Sequence, residues 1–253
     1  MWTSTLHFVS YGEGPPVLLL HGGLSNRLSW FSQIPWLVGA GRRVVLMDTR
    51  GHGHSGLGRG ELSYRLFAAD AVRVLDGLTI ARTDVLGWSD GGNTALLLAR
   101  HWPERVARMV AISANYHPSG LIPEALADTL VQSSGPALWL RRLWTGAGAH
   151  TADLERRVKR LWRTEPDLTP ADLYRIQAPT LIIVGAKDVV SVAHSRQLAK
   201  ALPHGGLLVV QGGHSLPVTH AAAINRTIGG FLGLPSPDSP PAPNTSARPS
   251  TGA

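Results

Sequence analysis

The sequence of 253 residues contains no cysteine. This absence excludes a disulfide framework, a thiol nucleophile and a zinc site built from cysteine. The N-terminus has no basic segment followed by an apolar one, so we predict no signal peptide. The longest apolar runs, such as VLLL and LIIV, are far shorter than the roughly 20 residues that a membrane helix needs. We therefore expect a cytoplasmic protein that has no membrane partner.

Acidic residues are outnumbered by basic ones, 17 against 24, which gives a formal net charge of +7. A basic chain is compatible with nucleic-acid binding. The basic residues are scattered, however, and the one dense patch, at 141–163, is accompanied by no RNA-binding or helix-turn-helix motif. We interpret the patch as a solvated helix face and expect no nucleic-acid partner. The sequence does not indicate an oligomeric state.

Short apolar runs alternate with helical patterns along most of the chain, which is typical of βαβ units and a parallel sheet. Most runs are continuously apolar, as expected where both faces of a sheet are covered. The predicted strands are Leu6–Ser10, Val17–His21, Arg43–Met47, Asp84–Trp88, Arg108–Ile112, Thr180–Val184 and Leu207–Val210. Helices are predicted near 61–77, 90–101, 191–201 and 218–232.

Two segments interrupt this alternation. Residues 117–178 are too many for an ordinary connection, and we predict that they form a small helical insertion over one end of the sheet. Residues 235–253 are rich in proline and poor in large apolar side chains, so we predict a disordered tail. The predicted core therefore consists of residues 1–116 and 179–234.

The segment DVLGWSDGG, at 84–92, contains the pattern Gly-x-Ser-x-Gly between a predicted strand and a predicted helix. In this context the pattern is typical of a nucleophile on a sharp strand-to-helix turn. The turn crowds the positions two before and two after the serine, where Gly87 and Gly91 have no side chain to clash. We therefore predict that Ser89 is a nucleophile.

A serine nucleophile needs a base, and the base needs an acid that orients it. Asp188 follows one predicted strand and His214 follows the next, so both should reach the edge of the sheet where Ser89 lies. The oxyanion would be bound by the backbone N–H of Asp90 and by that of Gly23, with Leu24 as the neighbouring alternative to Gly23. His21, which ends an early strand, is interpreted as a structural residue.

The segment GHGHSG, at 51–56, fits the dinucleotide-binding pattern Gly-x-Gly-x-x-Gly and also contains two histidines. Dinucleotide-binding turns place their glycines directly at the strand end, whereas Asp48, Thr49 and Arg50 intervene here. A metal site needs a third or fourth ligand at suitable spacing, and the sequence offers none. We predict a structural turn, with no cofactor and no metal.

The motifs HGG at 21–23, DTRGHGHS at 48–55, GWSDGG at 87–92 and GGHS at 212–215 together resemble the α/β-hydrolase superfamily over roughly residues 4–233. The elbow is similar to those of small cap-bearing serine esterases, valacyclovir-hydrolase-like enzymes and enol-lactonases. The resemblance implies the α/β-hydrolase fold, a mostly parallel central sheet flanked by helices, with 117–178 as a cap. His220 is a spare histidine near the end of the chain, and Asn115 stands where some relatives carry the triad acid.

The predicted function is that of a serine hydrolase acting on an ester, thioester or lactone of a small to medium apolar substrate. Leu24, Trp88, Trp139 and Trp144 are predicted to line the substrate site. The same fold and triad also serve C–C bond hydrolysis, biosynthetic cyclisation and cofactor-free haloperoxidase chemistry, and the motifs do not separate these from ester hydrolysis. A ligand receptor that performs no catalysis is a further alternative.

Overall fold

A seven-stranded sheet forms the centre of the protein, as seen in a computed structural model that describes residues 5–122 and 152–238. The strands are β1 (Phe8–Tyr11), β2 (Pro16–Leu20), β3 (Arg43–Met47), β4 (Thr83–Trp88), β5 (Val106–Ile112), β6 (Thr180–Gly185) and β7 (Gly205–Val210). Their order across the sheet is β1-β3-β2-β4-β5-β6-β7, with β1 antiparallel to β3 and all other neighbours parallel. All seven predicted strands are present, each shifted by at most two residues at either end.

Helices connect the strands and cover both faces of the sheet. Those described are α1 (Ile34–Gly39), α2 (Tyr64–Gly77), α3 (Asp90–His101), α4 (Ala152–Thr164), α5 (Pro170–Tyr174), α6 (Val192–Ala201), α7 (Leu216–Thr219) and α8 (Ala221–Leu232). Short 3₁₀ helices occupy Arg27–Trp30, Pro103–Arg105 and Pro118–Gly120. None of the helices described is long and apolar enough to cross a membrane. The predicted cytoplasmic location stays a prediction.

Side chains that alternate along each inner strand enter two different cores. In β2, Leu18 and Leu20 belong to the core under α2 and α3, while Val17 and Leu19 belong to the core under α1 and α8. Because successive side chains of a strand point to opposite faces, a strand covered on both sides must be apolar throughout. This arrangement explains the continuous apolar runs of the sequence.

The segment predicted as an insertion contributes α4 and α5 to the described part of the chain. Leu154, Val158 and Leu161 of α4 are buried in the same core as α2 and α3. α5 begins with a capping box in which Thr169 and Asp172 exchange side-chain-to-backbone hydrogen bonds. Residues 123–151 and 239–253 lie outside the described residues, so the boundaries of the insertion and the disorder of the tail stay predictions.

The described part of the basic patch is the solvent-facing side of α4. Arg156 and Arg157 lie 2.5 and 2.8 Å from the carboxylate of Asp153, one turn earlier on the helix, and Lys159 lies 3.3 Å from Glu155. Pairs at this spacing stabilise an exposed helix. They support the interpretation of the patch as a solvated face, and the predicted absence of a nucleic-acid partner stays a prediction.

Candidate active site

Ser89 lies on the sharp turn between β4 and α3, at the carboxyl edge of the parallel sheet. Its backbone has φ 56° and ψ −121°, a conformation that costs a non-glycine residue free energy and that persists only where the surroundings enforce it. A Cβ at Gly87 would overlap the carbonyl of Gly91, and a Cβ at Gly91 would overlap the carbonyl of Leu20. The turn therefore requires glycine at both flanking positions, as the sequence predicts.

His214 and Asp188 meet Ser89 at this edge. His214 Nε2 lies 2.9 Å from Ser89 Oγ, and His214 Nδ1 lies 2.7 Å from Asp188 Oδ1. Asp188 follows β6 and His214 follows β7, so three chain segments after three parallel strands bring the side chains together. The distances and order match a nucleophile, a base and an orienting acid.

Asp188 is buried and accepts several hydrogen bonds. Ser113 Oγ donates to Asp188 Oδ2 at 2.5 Å, and the backbone N–H groups of Gly185 and Val190 donate at 3.2 and 3.1 Å. Burial alone would raise the pKa of Asp188, but the hydrogen bond and charge of His214, with the bond from Ser113, hold this pKa below its usual value. Asp188 is thus ionised and can stabilise a protonated His214.

A cavity of about 260 Å³ opens beside Ser89 Oγ. Ligand pockets usually measure about 300–1,000 Å³, so this one suits a small substrate. The residues that line it come from the elbow, α2, α4 and the loops after β5, β6 and β7. They are Tyr64, Ser89, Asp90, Asn115, Leu121, Trp162, Glu165, Val189, Val190 and His214.

None of the four residues predicted to line the substrate site is among the residues described around this cavity. Trp88 packs against the core under α1 and α8, and its Nε1–H donates to the carbonyl oxygen of His214 at 2.9 Å. Leu24 packs against the opposite core. Neither is among the residues that line the cavity. Trp139 and Trp144 lie outside the described residues.

One wall of the cavity is acidic. The buried carboxylate of Asp90 accepts hydrogen bonds from Tyr64 Oη at 3.0 Å and from Trp162 Nε1 at 2.9 and 3.0 Å. Burial raises the pKa of Asp90 to about 6, against these hydrogen bonds, which lower it. Burial also raises the pKa of Glu165, which accepts the N–H of Tyr64 at 2.9 Å. The helix α4 is therefore bonded to the residue that follows Ser89.

The loop after β2 runs along the other side of Ser89. A Cβ at Gly22 would lie 3.3 Å from Ser89 Cβ, and one at Gly23 would overlap the carboxylate of Asp90. Asp90 is the first residue of α3, where backbone N–H groups lack partners within the helix. The N–H of Leu24 donates to His52 Nε2 at 3.0 Å. The two predicted donors, Gly23 and Asp90, thus belong to segments that are in contact beside Ser89.

The loop after β3 is a turn in which hydrogen bonds converge on the carboxylate of Asp48. Asp48 accepts the Arg27 N–H at 2.9 Å, Arg27 Nη1 at 2.6 Å and the His54 N–H at 3.1 Å. His7, Asp48 and His54 offer ligand atoms within 4.8 Å of one another, but the guanidinium of Arg27 occupies the carboxylate that a cation would need. The structural interpretation of this turn agrees with these contacts.

Several residues of the site were not predicted. Ser113 lies two positions before Asn115, the position at which some relatives carry the triad acid. Val189 and Val190 directly follow Asp188, so their place at a strand end was a usable signal. Trp162 and Glu165 lie more than 70 residues from the elbow, and nothing local in the sequence connects them to it.

Comparison with known proteins agrees with the fold. The sequence model of the alpha/beta hydrolase fold family matches residues 15–143. Human serine hydrolase BPHL is 32% identical over 243 residues, which cover 90% of this chain and 82% of that protein. The chain belongs to the α/β hydrolase family.

Two further relatives differ in their named activities. A non-heme haloperoxidase from Rhodococcus erythropolis is 30% identical over 269 residues, covering 90% of this chain and 95% of that protein. The crystal structure of the enol-lactonase from Burkholderia xenovorans LB400 superposes with a TM-score of 0.77 at 25% identity, covering 91% of this chain and 97% of that one. The family is therefore established, while its members' named activities vary.

Proposed function

We propose that this protein is a serine hydrolase that cleaves a small ester, thioester or lactone through an acyl-enzyme on Ser89. The observation that carries the proposal is the continuous hydrogen-bonded chain from Ser89 Oγ through His214 to the buried, ionised Asp188. The names of the human serine hydrolase and of the enol-lactonase support this reaction class.

In the first half of the reaction, Ser89 Oγ attacks the carbonyl carbon while His214 Nε2 takes the hydroxyl proton. The carbonyl π electrons move to the oxygen, which the N–H groups of Gly23 and Asp90 bind. The tetrahedral intermediate then collapses and breaks the bond to the leaving oxygen or sulfur, which takes the proton from His214. Asp188 accepts the Nδ1–H throughout and keeps Nε2 free to act as the base.

In the second half, His214 removes a proton from water, which attacks the acyl carbon. Collapse of the second intermediate breaks the bond to Ser89 Oγ and returns the proton to it, so the enzyme is regenerated and an acid is released. The size of the cavity favours a small acyl group. Leu121, Val189 and Val190 supply its apolar lining.

A haloperoxidase-type reaction is the second candidate, supported by the named activity of the Rhodococcus relative. In that case hydrogen peroxide replaces water in the second half and the product is a peracid. The two reactions share the acyl-enzyme and differ only in the attacking molecule. Hydrolysis of p-nitrophenyl esters in buffer, compared with peracid formation from the same acyl group and hydrogen peroxide, separates them.

The test of the nucleophile is reaction with a fluorophosphonate probe followed by mass spectrometry, together with turnover of short-chain p-nitrophenyl esters. We expect a single adduct on Ser89 and no turnover in Ser89→Ala. Ser119→Ala is the matched control, because Ser119 Oγ also lies 2.8 Å from a histidine, His117 Nδ1, but is exposed and is not among the residues that line the cavity. Absence of an adduct on Ser89 in the wild-type protein would refute the proposal.

The test of the acid is Asp188→Asn. An asparagine would present its amide to His214 and favour the wrong tautomer, so kcat should fall by about 10⁴. Near-normal turnover in this variant would show that Asp188 is not the acid. Retained folding is checked by circular dichroism.

A further inference from the structure

Two buried histidines that bond the loop after β2 take no part in the proposed triad. His21 follows β2, and His52 lies in the turn after β3 that the sequence shares with nucleotide-binding motifs. Both are 1% exposed. A buried polar ring needs hydrogen-bond partners, so the bonds of these rings show what they stabilise.

Hydrogen bonds with backbone groups determine which nitrogen of each ring carries the proton. The N–H of Thr49 donates to His21 Nε2 at 3.0 Å, so Nε2 carries no proton, and His21 Nδ1 donates to the carbonyl of Gly22 at 2.7 Å. The N–H of Leu24 donates to His52 Nε2 at 3.0 Å. His52 Nδ1 lies 3.1 Å from the carbonyl of Arg50, which can only accept, so Nδ1 carries the proton.

Both rings therefore hold the short loop after β2, one at each end. His21 fixes the carbonyl of Gly22, and His52 fixes the N–H of Leu24. Leu24 has φ 52°, a left-handed conformation that a branched residue adopts only when its surroundings impose it. Gly23 lies between these two anchors, against the carboxylate of Asp90.

The bond to His52 also decides between the two candidate donors of the loop. The N–H of Leu24 is already bonded to His52 Nε2. Gly23, by contrast, directly follows Gly22, the residue of this loop that approaches the side chain of Ser89. We propose that His52 is a positioning residue of the oxyanion hole, which accepts the Leu24 N–H and so directs the Gly23 N–H at the developing oxyanion. This inference rests on the proposed function, since the oxyanion in question forms when Ser89 attacks the substrate carbonyl.

A positioning residue of this kind acts on the transition state and hardly on substrate binding. The oxyanion exists only after attack, so a misplaced Gly23 N–H lowers kcat and leaves KM nearly unchanged. Removal of an oxyanion donor costs about 10²–10³ in kcat. A displaced donor retains part of its effect, and we expect a loss of about 10- to 100-fold.

The test compares His52→Phe with His52→Gln. Phenylalanine keeps a planar ring in the core but offers no acceptor to Leu24, whereas glutamine can place its carbonyl oxygen near the position of Nε2. We expect kcat for a p-nitrophenyl ester to fall about 10- to 100-fold in the phenylalanine variant and to recover most of that loss in the glutamine variant, with KM within about threefold in both. His54→Phe is the control, because the side chain of His54 in the same turn is 67% exposed.

A second measurement covers the case in which the phenylalanine variant folds poorly. Affinity for a boronic acid, which forms a tetrahedral adduct on Ser89, should fall in parallel with kcat across folded variants, the glutamine variant included. Equal kcat losses in both variants, a change confined to KM, or an unchanged kcat in His52→Phe would overturn the positioning role. If the wild-type protein neither turns over esters nor labels at Ser89, the proposed function fails, and the positioning role fails with it.

Discussion

The carboxyl of Asp90 destabilises the folded protein at neutral pH, and its replacement by asparagine should increase stability. Burial raises the pKa of Asp90 from 3.8 to about 6. Each factor of ten in acidity corresponds to about 1.4 kcal/mol, so ionising Asp90 costs about 3 kcal/mol more in the folded protein than in the unfolded chain. Within residues 5–122 and 152–238, the side chains that donate hydrogen bonds to the carboxylate are two neutral groups, Tyr64 and Trp162.

The direction in which the free energy of unfolding changes with pH follows from the order of the folded-state and unfolded-state pKa values of Asp90. The folded-state pKa lies above the unfolded one, so the folded protein binds the proton more tightly between about pH 4 and pH 6. Across this window the free energy of unfolding falls as the pH rises, and above it the full cost is present. Asparagine does not ionise and escapes this cost at every pH.

The net gain is smaller than the ionisation cost, because Trp162 Nε1 contacts both carboxylate oxygens and asparagine offers it only one. We assign about 1 kcal/mol to that loss. Asp90→Asn should therefore stabilise the protein by about 2 kcal/mol at pH 7.5, which corresponds to a Tm increase of roughly 4–8 °C for a domain of this size. At pH 5 the gain should be smaller by about 1 kcal/mol.

The assay is urea unfolding of the wild-type protein and the Asp90→Asn variant at pH 7.5 and pH 5, followed by tryptophan fluorescence and circular dichroism. Asp167→Asn, at a side chain that is 80% exposed, is the control and should change the stability little at either pH. Equal m-values are required for the comparison. A variant no more stable than the wild type at pH 7.5, or a gain that is the same at both pH values, would refute the reasoning.

Three further predictions concern the supports of the site. Ser113→Ala removes the hydroxyl that bonds Asp188, so kcat should fall about tenfold at unchanged KM, measured with p-nitrophenyl esters; an altered KM alone would contradict this role. Trp162→Phe removes a donor to Asp90 and reshapes the cavity, so KM should rise more than kcat falls, a result that equal KM values would exclude. Gly91→Ala places a Cβ on the carbonyl of β2 and should abolish soluble expression, so a soluble, active variant would contradict the elbow geometry.

The strands were predictable because their signal is local. Each inner strand is a short, continuously apolar run, and burial on both faces explains why this pattern is required. The short helix Ile34–Gly39 was not predicted, since six residues that include Pro35 carry little periodicity. The helix predicted near 218–232 is divided at His220 into two.

The triad residues were predictable for a reason of topology. Residues that directly follow parallel strands meet at one edge of a sheet, so Ser89, Asp188 and His214 could be placed together from sequence order alone.

The lining of the cavity was not predictable in the same way. Trp162 reaches Asp90 across 72 residues of sequence, and Ser113 reaches Asp188 across 75. Trp88, adjacent to the nucleophile in sequence, turns to the opposite core.

The sequence by itself determined the family, the order of the strands along the chain, the glycines of the elbow and the residue types of the triad. Each of these depends on neighbouring residues, on apolar patterning or on the shared edge of a parallel sheet. Only the tertiary structure decided that Asp90 is buried with a raised pKa, that α4 is bonded to it, and that His52 holds Leu24. Desolvation and hydrogen bonds between distant segments exist only after the chain has folded, so no local pattern records them.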